Sequence, residues 1–402
     1  KLDSVALSFG RLMIVLTFLV FLIADHYFLR RQNTVEDVYA VIIFSLIGAV
    51  VLTMFENMVM FFIGLEIMSV SLYILTGSKK TSSRSNEAAM KYFLMGTFST
   101  GILLYGIALI YGASGSFDLS TIGTYVATNQ DNLPLYFKTG IVMVTIALAF
   151  KIGAVPFHFW VPDVYHGAPT LVTTYMATVV KIAGVVAFYR LFSLSFLGIS
   201  ELWGGIISIL AVFTIFVGNL SALYQTQVKR MLAYSSVAHT GYLMLGLVAF
   251  NDASASTLFY YSVAYGVSTI GTFAALMLVR EKFQEGTFGA FEGLAKKNGF
   301  LSFVLSISLL SLTGIPPLAG FMAKYFIFAQ AIEQGFWWLS IAAILGTAIS
   351  VVYYFKMIIG MYFREPKDEV VHLTTRSKAL LIVLTILIIS VGLFPSIIIN
   401  LI

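Results

Sequence analysis

Apolar residues run along the chain in stretches of about 20, the length a helix needs to cross the hydrocarbon core of a bilayer. About twelve such stretches stand out, near 6–24, 36–54, 57–77, 88–112, 138–160, 169–193, 203–223, 230–249, 254–279, 301–330, 336–361 and 378–399. No strand-like alternation, long linker or low-complexity tract breaks the series. The pattern therefore predicts an all-α polytopic membrane protein in which residues 1–402 form a single membrane domain. The longest intervals, 113–137 and 280–300, read as loops.

Assigning the intervals alternately to two faces puts Arg30, Arg31, Lys79, Lys80, Arg84, Lys229, Arg230, Arg280, Lys282, Lys296, Lys297, Arg364, Lys367, Arg376 and Lys378 on one face. The other face receives only Lys1, Lys138 and Arg190. This is the positive-inside bias of a membrane protein, and one miscounted helix would have scrambled it. Both ends of the given chain then lie on the face poor in basic residues. No signal peptide is recognisable.

Prolines add a second layer of organisation. Pro156, Pro162 and Pro169 form one group and Pro316 with Pro317 another, each in or beside a long apolar stretch that also holds Gly153 or Gly314. Helices must break there. The groups recur at a similar interval to the span starts at 36 and 203, which predicts two five-helix repeats, 36–193 and 203–361, followed by a final helix at 378–399. Five is odd, so the second repeat is inverted, the plan of many transporters whose broken helices open backbone groups to ions and water.

Composition narrows the function classes. The chain is 59% hydrophobic and 11% charged and contains no cysteine, which excludes disulfides, thiolate-bound iron–sulfur clusters and a cysteine nucleophile. His26, His158, His166, His239 and His372 show no metal-ligand spacing. Any redox chemistry belongs to a partner. The net charge of +5 has a topological explanation in the loops and is no signal for nucleic acid. The glycines near 286–293 follow no strand and make no nucleotide loop.

What needs explaining is charge inside the apolar stretches. Glu66 is the one acid well inside any of them, and Lys91, Lys151, Lys181 and Lys324 lie in others. Each central lysine costs roughly 2.5 to 3.5 kcal/mol on insertion scales. Glu66, Lys151 and Lys181 lie roughly 14 to 20 Å from the start of their spans, too deep for the side chain to reach the headgroups. Arg11 and Lys356 sit close enough to an end to snorkel, and Lys91, near the start of its span, fits either reading. His239 is either a relay group or a neutral histidine bonded between helices. His158, Asp163 and His166 in the proline-rich turn read as structural caps rather than metal ligands. One buried acid cannot pair with four lysines, which weakens a purely structural role for these charges.

Four segments carry a family resemblance: Gly64-Leu65-Glu66-Ile-Met-Ser-Val-Ser-Leu-Tyr73; Phe150-Lys151 through Pro156, Trp160 and Pro162-Asp163 to Pro169; Lys229-Arg230-Met-Leu-Ala-Tyr-Ser-Ser-Val-Ala-His239; and Gly314-Ile-Pro-Pro-Leu-Ala-Gly-Phe-Met-Ala-Lys324. Together they resemble the antiporter-like, proton-translocating subunits of respiratory complex I over essentially the whole chain. Among these, Gly-Leu-Glu66 and a lysine at 324 are similar to the N-subunit family of bacterial NADH-quinone oxidoreductase. The M sibling is expected to carry glutamate at the latter position, and the L sibling to continue into a lateral helix.

The resemblance implies fourteen spans, two of them preceding Lys1, and a proton relay of Glu66, Lys91, Lys151, Lys181, Lys324 and His239, with Glu66 and Lys91 as acid and lysine of the first repeat. Ser235, Ser236 and Tyr234 would supply hydroxyls. It also implies that no cofactor is held on this chain. NADH, FMN, iron–sulfur clusters and quinone would sit on partner subunits, beside other membrane subunits of the complex in a bacterial plasma membrane. Lys296-Lys297-Asn298-Gly299 departs from the family where a proline replaces Gly299. Two alternatives stay open: a subunit of a related cation/proton antiporter or membrane-bound hydrogenase, and a structural module.

Overall fold

Eleven helices among the described residues are long and apolar enough to cross a membrane. The computed structural model describes residues 2–28, 35–283, 286–366, 371 and 373–402. Lys1, Arg30, Arg31, Lys367 and His372 lie outside the described residues, as do the side chains of His26 and Lys282. In chain order the helices are α1 (Ser4–Phe28), α2 (Val35–Met54), α3 (Met58–Thr76), α4 (Ser83–Ser114), α5 (Leu119–Thr128), α6 (Leu135–Ile152), α7 (Trp160–Gly167), α8 (Thr170–Tyr175) and α9 (Lys181–Ser195). They continue as α10 (Ser200–Leu223), α11 (Val228–Val248), α12 (Ser254–Phe283), α13 (Leu294–Lys297), α14 (Gly299–Thr313), α15 (Ala319–Glu333), α16 (Trp337–Phe363), α17 (Thr375–Leu393) and α18 (Pro395–Ile399). A π-helical turn, Met176–Val180, joins α8 to α9 in one span.

The stretch 301–330 is the predicted crossing that is not a single long helix. It is divided into α14 and α15, as 138–160 gives way to α6 and α7. Both breaks have the same local chemistry. Gly153 (φ +76°) and Gly314 (φ +90°) take the left-handed conformation that glycine alone adopts cheaply. The following amides turn back onto the last helical carbonyls, Ala154 to Ala149 (2.8 Å) and Ile315 to Leu310 (3.0 Å). Cis prolines, Val155-Pro156 and Pro316-Pro317, follow at once, and a proline cannot continue the ladder.

Polar caps start several helices: the Asn57, Ser82, Asp118, Asn298 and Thr374 side chains accept amide protons from the first turns of α3, α4, α5, α14 and α17. Asp118 thereby builds a helix inside 113–137, which the sequence reading left as loop. At ten residues α5 is too short to span, so it gives no hydropathy signal, and it packs its Leu119, Ile122 and Val126 inward. The interval 280–300 likewise contains helical turns at Phe288–Phe291 and α13.

Two sets of contacts define the faces. Arg230 pairs with Asp163, Arg280 donates to Thr170 and Lys296 pairs with Glu365, so the basic loops meet on one side. On the other, Arg190 pairs with Asp3 and donates to Phe55 O, and Met58 N donates to Phe117 O. The span Thr170–Ser195, α11 and α12 are almost wholly buried and form the centre. Around them, α2, α4, α10, α16 and α17 expose apolar side chains such as Phe44, Phe98, Phe213, Val352 and Ile386. With no hydrophobic drive between helices in lipid, close packing substitutes for it. A Cβ on Gly218 of α10 would lie 2.6 Å from Ala238 N of α11.

Candidate functional site

The buried charges of the sequence converge on the central helices. Lys151, Lys181 and Lys324 are 6%, 4% and 4% exposed, so none of them reaches lipid or headgroups. Among the described residues none of the three has a carboxylate within ion-pair distance. Their ammonium groups are held by hydroxyls, backbone carbonyls and ring faces.

Lys151 occupies the last turn of α6, immediately before the first break. Its Nζ donates to Ser69 Oγ of α3 (2.6 Å) and lies 5.8 Å from the Tyr92 ring centre. A small cavity between α3, α4 and α6 is lined by Ser69, Tyr73, Thr100 and Lys151 among others. Glu66 itself is half-buried and accepts from Thr100 Oγ1 (2.8 Å).

Lys181 follows the π-helical turn directly. Its Nζ donates to Ser236 O and to Thr240 Oγ1 (2.7 Å) of α11. Thr240 Oγ1 donates in turn to Ile152 O (2.9 Å), the backbone carbonyl next to Lys151. One hydroxyl thus links the second lysine to the break that carries the first. π-helical turns are frequent at functional sites.

Lys324, in the second turn of α15, reaches back across the second break. Its Nζ donates to Thr313 O (2.9 Å), the last carbonyl of α14, and sits 4.7 Å from the centre of the Tyr242 ring. A cation there satisfies an orphan carbonyl at the negative end of a helix dipole. Between Lys181 and Lys324, α11 presents His239, whose Nδ1 bonds Tyr261 OH (2.7 Å) and whose ring lies 5.7 Å from that of Tyr242. Ser236 Oγ bonds Tyr265 OH (2.9 Å), and Ser235 bonds Tyr354 OH. A second cavity, lined by Ser235, Ser236, Tyr265, Thr269 and Thr272, adjoins this row.

Several sequence expectations shift. Lys91 does not meet Glu66. Thr100, Glu66's partner, is nine residues further along α4, about 13 Å of helix, so Lys91 lies well toward the basic face. There it pairs with Glu87 (2.7 Å) and Asp163 (3.0 Å). Asp163, expected as a cap, is a bridge between cations, with Arg230 at 2.7 Å on its other oxygen. Tyr234 has its ring 6.4 Å from that of His158, beside the first break. Lys229 and Arg190, read as loop charges, are buried: Lys229 donates to Ala168 O and Arg190 to Phe55 O. Arg11 and Lys356 are exposed on the perimeter. Ser69, Thr100, Thr240, Tyr242, Tyr261 and Tyr265 were missed. Single hydroxyls inside apolar helices carry no pattern, and only the Ser236/Thr240 spacing, one helical turn, hinted at a shared face. No group of three or more His, Asp or Glu placed to hold a metal occurs among the described residues.

The family described as NADH:quinone oxidoreductase/Mrp antiporter, TM matches residues 56–350. NADH-quinone oxidoreductase subunit N of Cytophaga hutchinsonii is 42% identical over 402 residues, covering 99% of this chain and 86% of that protein. Subunit N of Flavobacterium psychrophilum is 41% identical, covering 99% and 87%. Among solved structures, respiratory complex I from Thermus thermophilus contains a chain with TM-score 0.84 and 30% identity, covering 99% of this chain and 86% of that one. The Mrp complex from Dietzia sp. contains one with TM-score 0.87 at 20% identity, covering 98% and 82%, a likeness of fold. The chain belongs to the NADH:quinone oxidoreductase/Mrp antiporter transmembrane family, in its subunit N branch.

Proposed function

We propose that this multi-pass protein is the proton-translocating N subunit of a NADH-quinone oxidoreductase in a bacterial plasma membrane, and that protons move along Glu66, Lys151, Lys181, His239 and Lys324. Electron transfer from NADH to quinone on partner subunits would drive them, with flavin and iron–sulfur clusters held there. Other membrane subunits would flank this one. The observation that carries the reading is the set of three buried lysines that have no carboxylate partner among the described residues: Lys324 is bound to a helix-break carbonyl, Lys181 to a hydroxyl that reaches the break beside Lys151, and Lys151 to the Ser69 hydroxyl.

An ammonium in such a setting is close to its limit. Burial favours the neutral amine, while hydroxyls, carbonyls and ring faces favour the cation, so a small change in hydration or in the distance to Glu66 shifts the balance. Lysines poised this way can take up and release protons in turn, and their titrations are coupled. Lys91 then serves at the basic-face mouth rather than on the row. The two breaks, alike in glycine, turn and proline, support the inverted-repeat reading.

Lys151→Ala should leave the complex assembled and reduce proton uptake by membrane vesicles, during NADH oxidation, on the order of tenfold or more. Normal pumping would end the relay reading. A related cation/proton antiporter is the second reading, favoured by the matching family's description, which covers Mrp antiporters as well. Purification in mild detergent separates the two, since peripheral flavin and iron–sulfur subunits should accompany this chain only under the first.

A further inference from the structure

Asp163 belongs to no part of the relay, yet it ties three helices together. It lies in α7, the short helix after the first break, and accepts from Lys91 Nζ of α4 on one oxygen (3.0 Å) and from Arg230 Nη1 of α11 on the other (2.7 Å). One turn earlier in α7 is Trp160, whose indole Nε1 donates to Phe150 O (3.0 Å), in the same last turn of α6 that carries Lys151. The Trp160 ring stacks on Tyr92 with centroids 4.6 Å apart, and Tyr92 is the ring over which the Lys151 ammonium sits. Position along α7 is therefore coupled through one indole to the seat of Lys151. At the other end of α7 the packing is tight: a Cβ on Gly167 would lie 2.6 Å from both Ala88 Cβ and Arg84 O of α4.

Lys91 has a second carboxylate within reach, Glu87 at 2.7 Å, one turn back on its own helix. It can leave Asp163 without losing a charged partner. The carboxylates and both cations are partly exposed, so the exchange shifts populations by only about fivefold. A contact that is cheap to open and mechanically linked to a buried proton site has the properties of a latch.

We propose that Asp163 is the positioning residue of the first break. It is a carboxylate latch that fastens α7 to α4 and α11 and opens when Lys91 releases Asp163 and keeps Glu87 alone, which moves Trp160 and re-seats Lys151 relative to the basic face. The latch rests on the relay reading, since Lys151 must carry protons for its seat to matter.

The test uses the intact complex in native membrane vesicles, with NADH oxidation and initial proton uptake measured together. Asp163→Asn removes the latch and should lower protons moved per NADH about fivefold with normal subunit content. Asp163→Glu should restore most of that ratio. Glu87→Gln removes the carboxylate that retains Lys91 when Asp163 lets go, so it should hold the latch shut, slowing NADH oxidation while keeping the ratio. A purely structural role would not divide these two readouts. If Asp163→Asn fails to assemble, Lys91→Gln, which leaves the Arg230 bridge, should lower the ratio in its place. A wild-type ratio in Asp163→Asn or Lys91→Gln, or a fall of the same quantity in Asp163→Asn and Glu87→Gln, overturns the latch. Normal pumping in Lys151→Ala would instead overturn the relay itself.

Discussion

Lysine suits this interior because it can be held without an anion. Lys181 is bound by a hydroxyl and a carbonyl, Lys324 by a helix-end carbonyl and a ring face, and Lys151 by a serine hydroxyl near a ring. A fixed buried ion pair would be difficult to discharge, since breaking it leaves an uncompensated charge. Glu66, half-buried and bonded to Thr100, is the one acid near the start of the row among the described residues. Glu66→Gln should lower proton uptake during NADH oxidation on the order of tenfold, while Glu66→Asp keeps a measurable part because the charge survives. Equal rates in the two variants would show that the negative charge is not what Lys151 responds to. At this scale the charged residues were legible, because charge in an apolar stretch stands out. Their uncharged partners were not: a threonine such as Thr240 looks the same whether it back-bonds to its own helix or joins two lysines.

Among the elements, the two broken spans do what an unbroken helix cannot. An intact ladder consumes its carbonyls, whereas a break leaves some free at mid-membrane, and here Ile152 O and Thr313 O accept from Thr240 and Lys324. Glycine permits the turn. Gly314→Ala would force a side chain into a left-handed conformation and place its Cβ 3.0 Å from Lys324 Cδ, at a cost of about 1 to 3 kcal/mol. It should lower the temperature at which the purified complex loses its heat-stable NADH oxidation. Gly299→Ala serves as the control, since a Cβ there meets nothing within 4 Å and should leave that temperature unchanged. An equal loss in both variants would assign the effect to α14 in general. The breaks were legible in sequence from glycine and paired prolines. The positions of α5 and α13 were not, because α5 is held by the Asp118 cap and one packed face, and the four-residue α13 buries only Leu294, so neither leaves an apolar run.

The whole molecule is a core of buried, hydroxyl-rich helices inside a ring of apolar ones, with its basic loops on one face. Because the chain has no cysteine, single substitutions can report on that topology. Thr81→Cys and Thr128→Cys, both exposed, should be labelled by a membrane-impermeant maleimide from opposite sides, Thr81→Cys from the side of the basic loops. Labelling of both from one side would break the alternation on which the helix count rests.

The sequence by itself determined the class, most of the crossings, the helix breaks and three buried lysines, Lys151, Lys181 and Lys324, because each follows from local physics: hydrocarbon thickness, the cost of charge in it, and the inability of proline to continue a helix. Only the tertiary structure decided which charges meet. The resemblance assigned Glu66 and Lys91 to one repeat as its acid and lysine, yet Glu66 on α3 bonds Thr100, about 13 Å along α4 from Lys91, and Lys91 meets Asp163 instead. Lys229 and Arg190 read as loop charges until packing buried them. Depth along one helix can be counted from sequence. Which face of that helix meets which neighbour depends on how helices pack, and hydrophobicity that is nearly uniform around each span leaves that choice to small residues, hydroxyls and breaks.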